Sequence, residues 1–519
     1  MLHVNNLTII RNRDQQTLIS DLNFSLQKGD KLAVIGAEGN GKSSLLRVIC
    51  RPKEAATYLD WTGEIFFGPY RIVYLAQECP QELLDKSIIE LTLPSAEDNE
   101  LYRLSGELNL DSELLFSSRE TGSLSGGELM KLRLLLLFMT RPDIYVLDEP
   151  VNDLDLAGIH YIENFIKNSA EPILYVSHDE TLLEKSANRI LHIEQIWRRT
   201  EARVTYSGLG FREYREQFIY NVERQNKLAA KEEKDYQAKM QRHLAIQDKV
   251  HRDQENISRQ DPSGGRLLKK KMHAVKSTGR RLEREHETQT QRTDREEDVE
   301  FFLEDLAGIP NNKEVINLQL PELYAGNKLL AKDISLLIRG PERIGITGMN
   351  GCGKTTLLRR IVDLLAKRSD IEVFYLPQDW QSLFAEAVSA LDYLDPQGVA
   401  VLRQEAADLL GSLSFSREEM LRTVDTLSGG QKVKLAFAKM RLTRPNVLIL
   451  DEPSRHLSPL TNPAFRDSIA AYPGCVISVS HDRVFLREIC TDVLRLTAEG
   501  LIEEDPLLYM EDDASRGTS

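Results

Sequence analysis

An internal repeat constrains the fold of this chain more than any other sequence feature. Four short motifs occur twice and in the same order: G-x4-G-K-[ST], L-S-G-G, D-E-P and S-H-D. The lysines of the first motif are 312 residues apart, whereas equivalent residues of the other three motifs are each 303 apart. The chain therefore consists of two halves with one fold, and we expect an early insertion in the first half, around residues 51–63.

The two G-x4-G-K-[ST] motifs each lie between an apolar segment and a helical segment. LAVIG precedes the first copy and RIGITG the second, and LLRVI or LLRRI follows. Glycines at this spacing let backbone N–H groups curve around phosphate oxygens at a helix N-terminus. We therefore predict an α/β fold with two phosphate-binding loops, in which Lys42 and Lys354 reach the β- and γ-phosphates. The Ser43 and Thr355 hydroxyls are expected to hold Mg²⁺. The predicted loop residues are Gly36, Ala37, Glu38, Gly39, Asn40, Gly41, Lys42, Ser43 and Ser44, and Gly348, Met349, Asn350, Gly351, Cys352, Gly353, Lys354, Thr355 and Thr356.

Apolar strands precede the D-E-P motif in both halves, as IYVLDEP and VLILDEP. A carboxylate at the end of a buried strand is costly unless it serves a cation, so we predict that Asp148 and Asp451 support Mg²⁺. The next residues, Glu149 and Glu452, are placed to orient and polarise the water that attacks the γ-phosphate. The pattern favours two sites of nucleotide hydrolysis over the simpler reading of a helix-capping acidic pair.

LSGGE and LSGGQ stand 23 residues before the D-E pair in each half, and they resemble the signature sequence of ATP-binding cassette (ABC) ATPases. The resemblance implies that two cassettes bind two ATP molecules head to tail, with each phosphate loop facing the signature of the other cassette. It also implies histidines that sense the γ-phosphate and Q-loop glutamines that contribute to the Mg²⁺ site. The residues with these implied roles are the signature residues Ser125, Gly126, Gly127, Ser428, Gly429 and Gly430, the glutamines Gln77 and Gln378, and the histidines His178 and His481.

Two positions make the halves unequal. After D-E-P the first half carries Asp155, where the family has an aspartate, whereas the second half carries Ser458. The resemblance assigns the aromatic residue that stacks on adenine to Tyr324, and the first half has no obvious counterpart. The hypothesis that follows is that the two sites hydrolyse ATP at different rates.

The segment between the repeats, residues 211–300, has 21 basic and 18 acidic side chains. Apolar residues recur at helical spacing to about Gln260, and a second charged helical pattern runs from Arg266 to about Glu297. Because D-P-S-G-G between them is a turn signal, we predict a long antiparallel helical hairpin. Residues 259–284 carry nine basic and two acidic side chains, a net charge of +7, which indicates contact with RNA, although such runs also occur as solvated helix faces. The candidate RNA-contact residues are Arg259, Arg266, Lys269, Lys270, Lys271, Lys276, Arg280, Arg281 and Arg284.

Two cassettes in one chain, joined by a charged helical linker and without a membrane domain, resemble the ABC-F family of ribosome-associated ATPases. The resemblance implies that the ATP-bound chain enters the ribosomal E site and that its linker reaches towards P-site tRNA and ribosomal RNA. The first cassette leaves no room for the arm of some translation-factor members, since 47 residues separate Gln77 from Leu124 and 49 separate Gln378 from Leu427. The acidic C-terminal residues also lack a basic extension. Both features are more similar to the antibiotic-resistance members, which protect the ribosome.

We divide the chain into a cassette at residues 1–205, a charged helical linker at 206–310 and a second cassette at 311–519. Sixty-six Lys and Arg against 80 Asp and Glu give a net charge of −14, which argues against a protein that coats nucleic acid with its whole surface. No apolar run is long enough to span a bilayer, the N-terminus lacks signal-peptide features, and the five cysteines form no C-x-x-C pair. We expect a cytoplasmic monomer whose cassettes pair internally and use ATP and Mg²⁺.

Three other functions are compatible with parts of this pattern. A housekeeping ABC-F translation factor has the same architecture. The soluble ATPase subunit of an ABC transporter also uses tandem cassettes but has no use for a long hairpin. A DNA-repair or chromosome-structure ATPase usually carries its coiled coil inside a cassette, whereas the hairpin here lies between two complete ones. A pure scaffold is disfavoured because both phosphate-loop lysines and both D-E-P glutamates are present.

Overall fold

The computed structural model describes residues 1–93, 99–196, 201–255, 262–287, 303–326, 328–384, 387–413, 415–427, 429–455 and 457–505. For residues 254–255, 262–266, 268, 282–287 and 381–382 it describes the backbone alone. The chain forms two compact units. One unit comprises Met1–Phe211 together with Arg295–Ser519, and the other comprises Arg212–Asp294.

Cassette 1, the first half of the repeat, contains a three-stranded antiparallel sheet of order β2-β1-β4 and a six-stranded sheet of order β5-β6-β7-β3-β8-β9. Its strands are β1 (Leu2–Arg11), β2 (Gln16–Leu26), β3 (Lys31–Ile35), β4 (Leu59–Phe66), β5 (Ile72–Leu75), β6 (Ile144–Asp148), β7 (Ile173–Val176), β8 (Arg189–Ile196) and β9 (Glu201–Ser207). Its helices are α1 (Lys42–Cys50), α2 (Pro52–Ala55), α3 (Gln81–Leu84), α4 (Ile88–Thr92), α5 (Asn99–Glu107), α6 (Ser112–Leu115), α7 (Gly126–Met139), α8 (Leu156–Asn168) and α9 (Glu180–Ser186).

The second unit is built from two long helices, α10 (Phe211–Glu255) and α11 (Pro262–Glu287). They pack where Gly279 faces His243, so closely that a Cβ on this glycine would lie 2.8 Å from the imidazole Nε2. The turn predicted at D-P-S-G-G is wrong for its last four residues, which form the first turn of α11. Proline is favoured at the first helical position because its missing N–H is not needed there. No helix in the described ranges is long and apolar enough to cross a membrane.

Cassette 2, the second half, contains a two-stranded sheet of order β10-β11 and a six-stranded sheet of order β13-β14-β15-β12-β16-β17. Its strands are β10 (Glu314–Ala325), β11 (Lys328–Arg339), β12 (Arg343–Thr347), β13 (Val373–Leu376), β14 (Val447–Asp451), β15 (Cys475–Val479), β16 (Asp492–Thr497) and β17 (Gly500–Glu504). Its helices are α12 (Lys354–Leu365), α13 (Ala390–Leu394), α14 (Ala400–Ser412), α15 (Arg417–Leu421), α16 (Gly429–Thr443), α17 (Asn462–Ala471) and α18 (Arg483–Ile489).

The two six-stranded sheets have equivalent strand orders, with five parallel strands and one antiparallel strand at the end. The change of offset between the repeats corresponds to α2 and β4 of cassette 1, since no described strand of cassette 2 takes the place of β4. These observations confirm the predicted α/β class, with two similar domains and long helices between them.

The central strands position the repeated motifs. β3 (KLAVI), β6 (IYVLD) and their counterparts β12 and β14 are almost entirely buried, as expected for parallel strands with both faces covered. In cassette 1 the neighbouring strands β6, β7 and β3 end at D-E-P, S-H-D and the phosphate loop, and β14, β15 and β12 do the same in cassette 2. The carboxyl ends of parallel strands meet at one sheet edge, so all three motifs converge there.

Candidate functional site

Both G-x4-G-K-[ST] loops end at a helix N-terminus. α1 begins at Lys42 and α12 at Lys354, each preceded by a glycine in the left-handed region, with φ of 96° at Gly41 and 107° at Gly353. Lys42 Nζ donates to the carbonyls of Gly36 (2.7 Å) and Ala37 (3.0 Å), and Lys354 Nζ donates to the equivalent carbonyls of its own loop. Each lysine therefore lies across its loop, beside backbone N–H groups that can bind an anion.

Gly36 shows why the loop needs glycine where it leaves β3. Its φ is 142°, and a Cβ there would lie 2.2 Å from the backbone oxygen of Ile193. Asn40 is also fixed against β8, since its side-chain amide donates to the same Ile193 carbonyl at 3.2 Å. The loop is thus held tightly against the sheet on one side.

The D-E-P aspartates lie beside the hydroxyls predicted to share a cation with them. Asp148 is fully buried and accepts hydrogen bonds from Ser43 Oγ (3.1 Å) and Tyr74 Oη (3.2 Å). Burial raises the pKa of both Asp148 and Asp451. Thr355 faces Asp451 and lowers its pKa in part, yet no described side chain completes a hydrogen bond to either buried Asp451 oxygen. A buried carboxylate with unsatisfied oxygens next to a hydroxyl fits an oxygen-coordinated Mg²⁺.

Glu149 and Glu452 adopt an uncommon backbone conformation, with φ of 53° and 51°. The backbone N–H of each donates to a carbonyl of the strand that leads into S-H-D. The acceptor is Val176 O for Glu149 (3.0 Å) and Val479 O for Glu452 (2.9 Å). Burial raises the pKa of each carboxyl to about 7. A carboxyl with a pKa near the working pH is suited to act as a general base.

The S-H-D histidines face these glutamates. His178 Nε2 lies 3.4 Å from Glu149 Oε1, and His481 Nε2 lies 3.8 Å from Glu452 Oε1. His178 also makes a hydrogen bond of 2.7 Å through Nδ1 with the carbonyl of Leu457 in cassette 2. Burial and the nearby Lys354 lower the pKa of His481 to about 3, so this imidazole is neutral. Each histidine is therefore placed to contact whatever the glutamate acts on.

Each phosphate loop lies against the other cassette. A Cβ on Gly429, at the start of α16, would lie 3.2 Å from the backbone oxygen of Glu38. In the opposite direction Asn350 Nδ2 donates to the carbonyl of Asp153 at 2.6 Å, and the position of a Cβ on Gly127 is 4.0 Å from that amide nitrogen. The signature of cassette 1 is ordered by Ser125, which caps α7. Gly126 and Gly430 lie in the first turns of α7 and α16, and Ser428 lies outside the described residues.

One cavity of about 680 Å³ joins these groups. It contains both glutamates and both histidines, and the two Q-loop glutamines also line it. The sequence-predicted residues at its wall are Glu38, Gly39, Gly41, Lys42, Ser43, Ser44, Gln77, Glu149 and His178 of cassette 1, and Asn350, Gln378, Glu452 and His481 of cassette 2.

Tyr324 is not among the described residues that line this cavity. Its hydroxyl donates to Glu322 Oε2 at 2.9 Å, and the side chain is 45% exposed. Tyr324 pairs with Leu329 as Ile10 pairs with Thr17, so the structural counterpart in cassette 1 is aliphatic. In cassette 1 the planar side chains of Arg11 and Tyr58 line the cavity wall. Tyr58 precedes β4, and no described strand of cassette 2 is equivalent to β4.

The segment after D-E-P also differs between cassettes. Asp155 caps α8 by accepting from the Gly158 N–H (2.9 Å) and binds Lys131 Nζ (2.9 Å). Ser458 at the equivalent position accepts a hydrogen bond of 3.3 Å from Leu460 N, and α17 begins three residues later than α8 does in register. The predicted inequality of this segment therefore has a structural basis, whereas unequal hydrolysis rates stay a prediction.

Sequence reasoning missed Arg455, which stands where cassette 1 has Asn152. Arg455 is exposed and lines the cavity together with Glu149 and Glu452. Its charge lowers the pKa of both glutamates, against the larger effect of burial. Alignment of the halves at the offset of 303 would have shown this replacement of an amide by a cation.

The basic residues predicted to contact RNA belong to the second compact unit. Met272, Val275 and Gly279 form the more buried face of α11, whereas six basic side chains of this helix are exposed: Lys269, Lys270, Lys271, Lys276, Arg280 and Arg281. Arg266 and Arg284 lie in α11 at positions where only the backbone is described, and Arg259 lies outside the described residues. Contact with RNA stays a prediction.

The ABC transporter family model matches both halves of the chain, over residues 19–152 and 331–455. These ranges include both phosphate loops, both signatures and both D-E-P motifs.

Several relatives match this chain over more than nine-tenths of its length. Protein GCN20 of Saccharomyces cerevisiae is 27% identical over 92% of this chain and 68% of its own length. ABC transporter F family member 5 of Arabidopsis thaliana is 26% identical, over 94% and 74% of the two chains. Ribosome protection protein VmlR of Bacillus subtilis is 26% identical, over 94% and 85%.

A solved structure shares the fold. The archaeal ribosome recycling factor aABCE1, crystallised in complex with the ribosomal stalk protein aP1, superposes with a TM-score of 0.56 at 17% identity. The match covers 96% of this chain and 90% of that chain. At this identity the likeness shows the tandem-cassette fold alone.

Proposed function

Because the chain belongs to the ABC-F family of tandem ATP-binding cassette proteins, we propose that it is a cytoplasmic ATPase that binds the ribosome with its cassettes closed on ATP. Its helical linker then acts on translation, and the role we favour is protection of the ribosome from antibiotics. The proposal includes the division into a cassette at 1–205, a linker at 206–310 and a cassette at 311–519. The observation that carries it is the exposed basic face of α11 between two cassettes with intact hydrolytic motifs.

In each cassette the phosphate loop binds the triphosphate and the D-E-P glutamate acts on the attacking water. The backbone N–H groups at the start of α1 and α12, with Lys42 and Lys354, hold the phosphate oxygens. Ser43 and Asp148 in cassette 1, and Thr355 and Asp451 in cassette 2, would hold Mg²⁺, with Gln77 and Gln378 contributing from the Q-loops. The cation would neutralise charge on the β- and γ-phosphates.

Glu149 and Glu452 accept a proton from water, a role that their raised pKa supports. His178 and His481 face the same point as the glutamates and orient the γ-phosphate. Tyr324 is the proposed adenine contact of cassette 2. The contact of Gly429 with Glu38 supports a site shared between the phosphate loop of one cassette and the signature of the other. Hydrolysis removes the shared phosphate and favours separation of the cassettes.

The ribosome is proposed as the partner because a basic helix face fits a surface rich in phosphate. The chain as a whole is acidic, with a net charge of −14, so attraction to RNA would be local to the hairpin. Similarity to ribosome protection protein VmlR over 94% of the chain supports the same reading. P-site tRNA and ribosomal RNA are the proposed contacts of α11.

Co-sedimentation with ribosomes tests this function. Glu149→Gln/Glu452→Gln should trap the ATP-bound state and sediment with ribosomes in ATP but not in ADP. The same chain with Lys42→Ala and Lys354→Ala added is the control, since it cannot hold the triphosphate. Equal sedimentation with ATP and ADP, or none in either, contradicts the proposal.

A drug-susceptibility panel then separates protection from a housekeeping role. Deletion of the gene should increase susceptibility to antibiotics that bind the peptidyl transferase region and leave drug-free growth unchanged. A growth defect without any change in susceptibility favours the housekeeping translation factor.

A further inference from the structure

Two buried ion pairs join the cassettes to each other, and none of their four residues lines the cavity described above. Arg466 of α17 binds Glu180 of α9 with both terminal nitrogens, at 2.6 and 3.1 Å. Arg483 of α18 binds Glu163 of α8, also through both terminal nitrogens. All four side chains are less than 10% exposed. Bidentate pairs in such surroundings are strong and geometrically specific.

One residue of each pair also binds an oppositely charged side chain within its own cassette. Lys185 Nζ lies 3.2 Å from Glu163 Oε2 in cassette 1, and Arg466 Nε lies 2.7 Å from Glu488 Oε2 in cassette 2. Glu163 and Arg466 therefore each bind one oppositely charged residue of their own cassette and one of the other cassette.

The charges are reversed between the halves at every one of these positions. The register of 303 residues that aligns the later motifs also aligns Glu163 with Arg466, Glu180 with Arg483, and Lys185 with Glu488. Cassette 1 thus presents two carboxylates to the interface and cassette 2 two guanidinium groups. The third position is reversed as well, so the ion pair inside each cassette is preserved.

Pairing between two like cassettes would bury like charges. With the same geometry, two copies of cassette 1 would place Glu163 against Glu180 twice, and two copies of cassette 2 would place Arg466 against Arg483 twice. A buried charge without a counter-charge is strongly destabilising. Leu156 of cassette 1, which packs against Leu486 and Val493 of cassette 2, adds apolar contact but cannot distinguish one cassette from the other in this way.

We propose that six charged residues form a charge code, a set of reversed charges that lets cassette 1 pair with cassette 2 but neither cassette with its own kind. These residues are Glu163, Glu180, Lys185, Arg466, Arg483 and Glu488. The partner selected is the other cassette of the same chain, because the linker gives it a far higher effective concentration than a second molecule has. The code does not depend on ribosome binding, so purified protein alone can test it.

Exchange of the three residues between halves tests the code in full-length protein. The first half-exchange is Glu163→Arg/Glu180→Arg/Lys185→Glu, and the second is Arg466→Glu/Arg483→Glu/Glu488→Lys. The full exchange combines all six changes. Because each exchange keeps the ion pair inside its cassette, the cassettes should still fold, which thermal melting checks.

Two readouts report pairing. The first is the ATP hydrolysis rate, and the second is energy transfer between fluorophores at exposed positions 28 and 367, measured with Glu149→Gln/Glu452→Gln added. Each half-exchange should lower hydrolysis by at least about tenfold and abolish the ATP-dependent rise in energy transfer. The full exchange should restore both to within about threefold of the unexchanged protein.

Mixing the two half-exchanged proteins provides the second test. In the first half-exchanged protein both cassettes present basic residues for pairing, and in the second both present acidic residues. The two proteins should therefore associate with each other, although neither associates with itself. Light scattering should show a complex of two chains only in the mixture. Half-exchanges that hydrolyse ATP within about twofold of the parent, or a folded full exchange that fails to recover, overturn the proposal.

Discussion

At the scale of single residues, the proposed hydrolytic centre depends on how two carboxyls are held. Burial raises the pKa of Glu149 and of Glu452 to about 7, and Arg455 opposes this effect at both. Arg455 lines the same cavity as the two glutamates and the phosphate-loop lysine Lys42. One side chain of cassette 2 thus influences the protonation of the proposed base in both cassettes.

Arg455→Asn, which restores the residue of cassette 1, should change the pH dependence of hydrolysis. A proposed base must be ionised, so kcat/KM for ATP should rise with pH through about 7 in the unmodified protein. Loss of the guanidinium disfavours the ionised carboxyls and so raises their pKa. The rise of kcat/KM with pH, the acidic limb of the profile, should therefore move to higher pH by roughly half a unit.

Lys367→Gln is the matched control for this change. It removes one positive charge from an exposed position at the end of α12 that does not line the cavity, and it should leave the pH profile unchanged. A limb that stays in place in Arg455→Asn, or moves to lower pH, contradicts the electrostatic role.

At the scale of elements, regular patterns were predictable and local exceptions were not. Apolar periodicity predicted a long helix to about Gln260, and the described part of α10 ends at Glu255. Glycine and proline in D-P-S-G-G predicted a turn, but proline also begins helices, and here it begins α11. The insertion around residues 51–63 was visible from the offset, whereas the pairing of β4 with β1 depends on tertiary contacts.

The basic face of α11 yields a prediction about salt. Replacement of Lys269, Lys270 and Lys271 by glutamine should weaken ATP-dependent ribosome binding and reduce the slope of log affinity against log salt by about one per phosphate-contacting lysine. Binding measured by sedimentation from low to high KCl gives both quantities.

The matched control replaces Lys231, Lys234 and Lys239, three exposed lysines of α10, by glutamine. Both triple variants lose the same charge from the same unit, so a non-specific effect of net charge would change them equally. Equal losses of affinity and slope in the two variants contradict a specific role for the α11 face.

At the scale of the whole molecule, the repeated motifs predicted two similar cassettes because identical residues are easy to align. The relation between the cassettes was less accessible. The resemblance implied that phosphate loop and signature face each other, and the contact of Gly429 with Glu38 agrees with this arrangement. The ion pairs of Glu163 and Glu180 could not be predicted from recurring motifs, because the charges at these positions are reversed between the halves.

The proposed function requires that closed cassettes bring the hairpin to RNA of the ribosome, and site-specific photo-crosslinking detects such contact. A benzophenone residue in place of exposed Ser277 on α11, in the Glu149→Gln/Glu452→Gln chain, should crosslink to ribosomal RNA or tRNA with ATP and not with ADP. The same residue in place of exposed Ala238 on α10 serves as the comparison. Crosslinks at Ser277 that are absent, confined to protein, or independent of the nucleotide would contradict the proposed function.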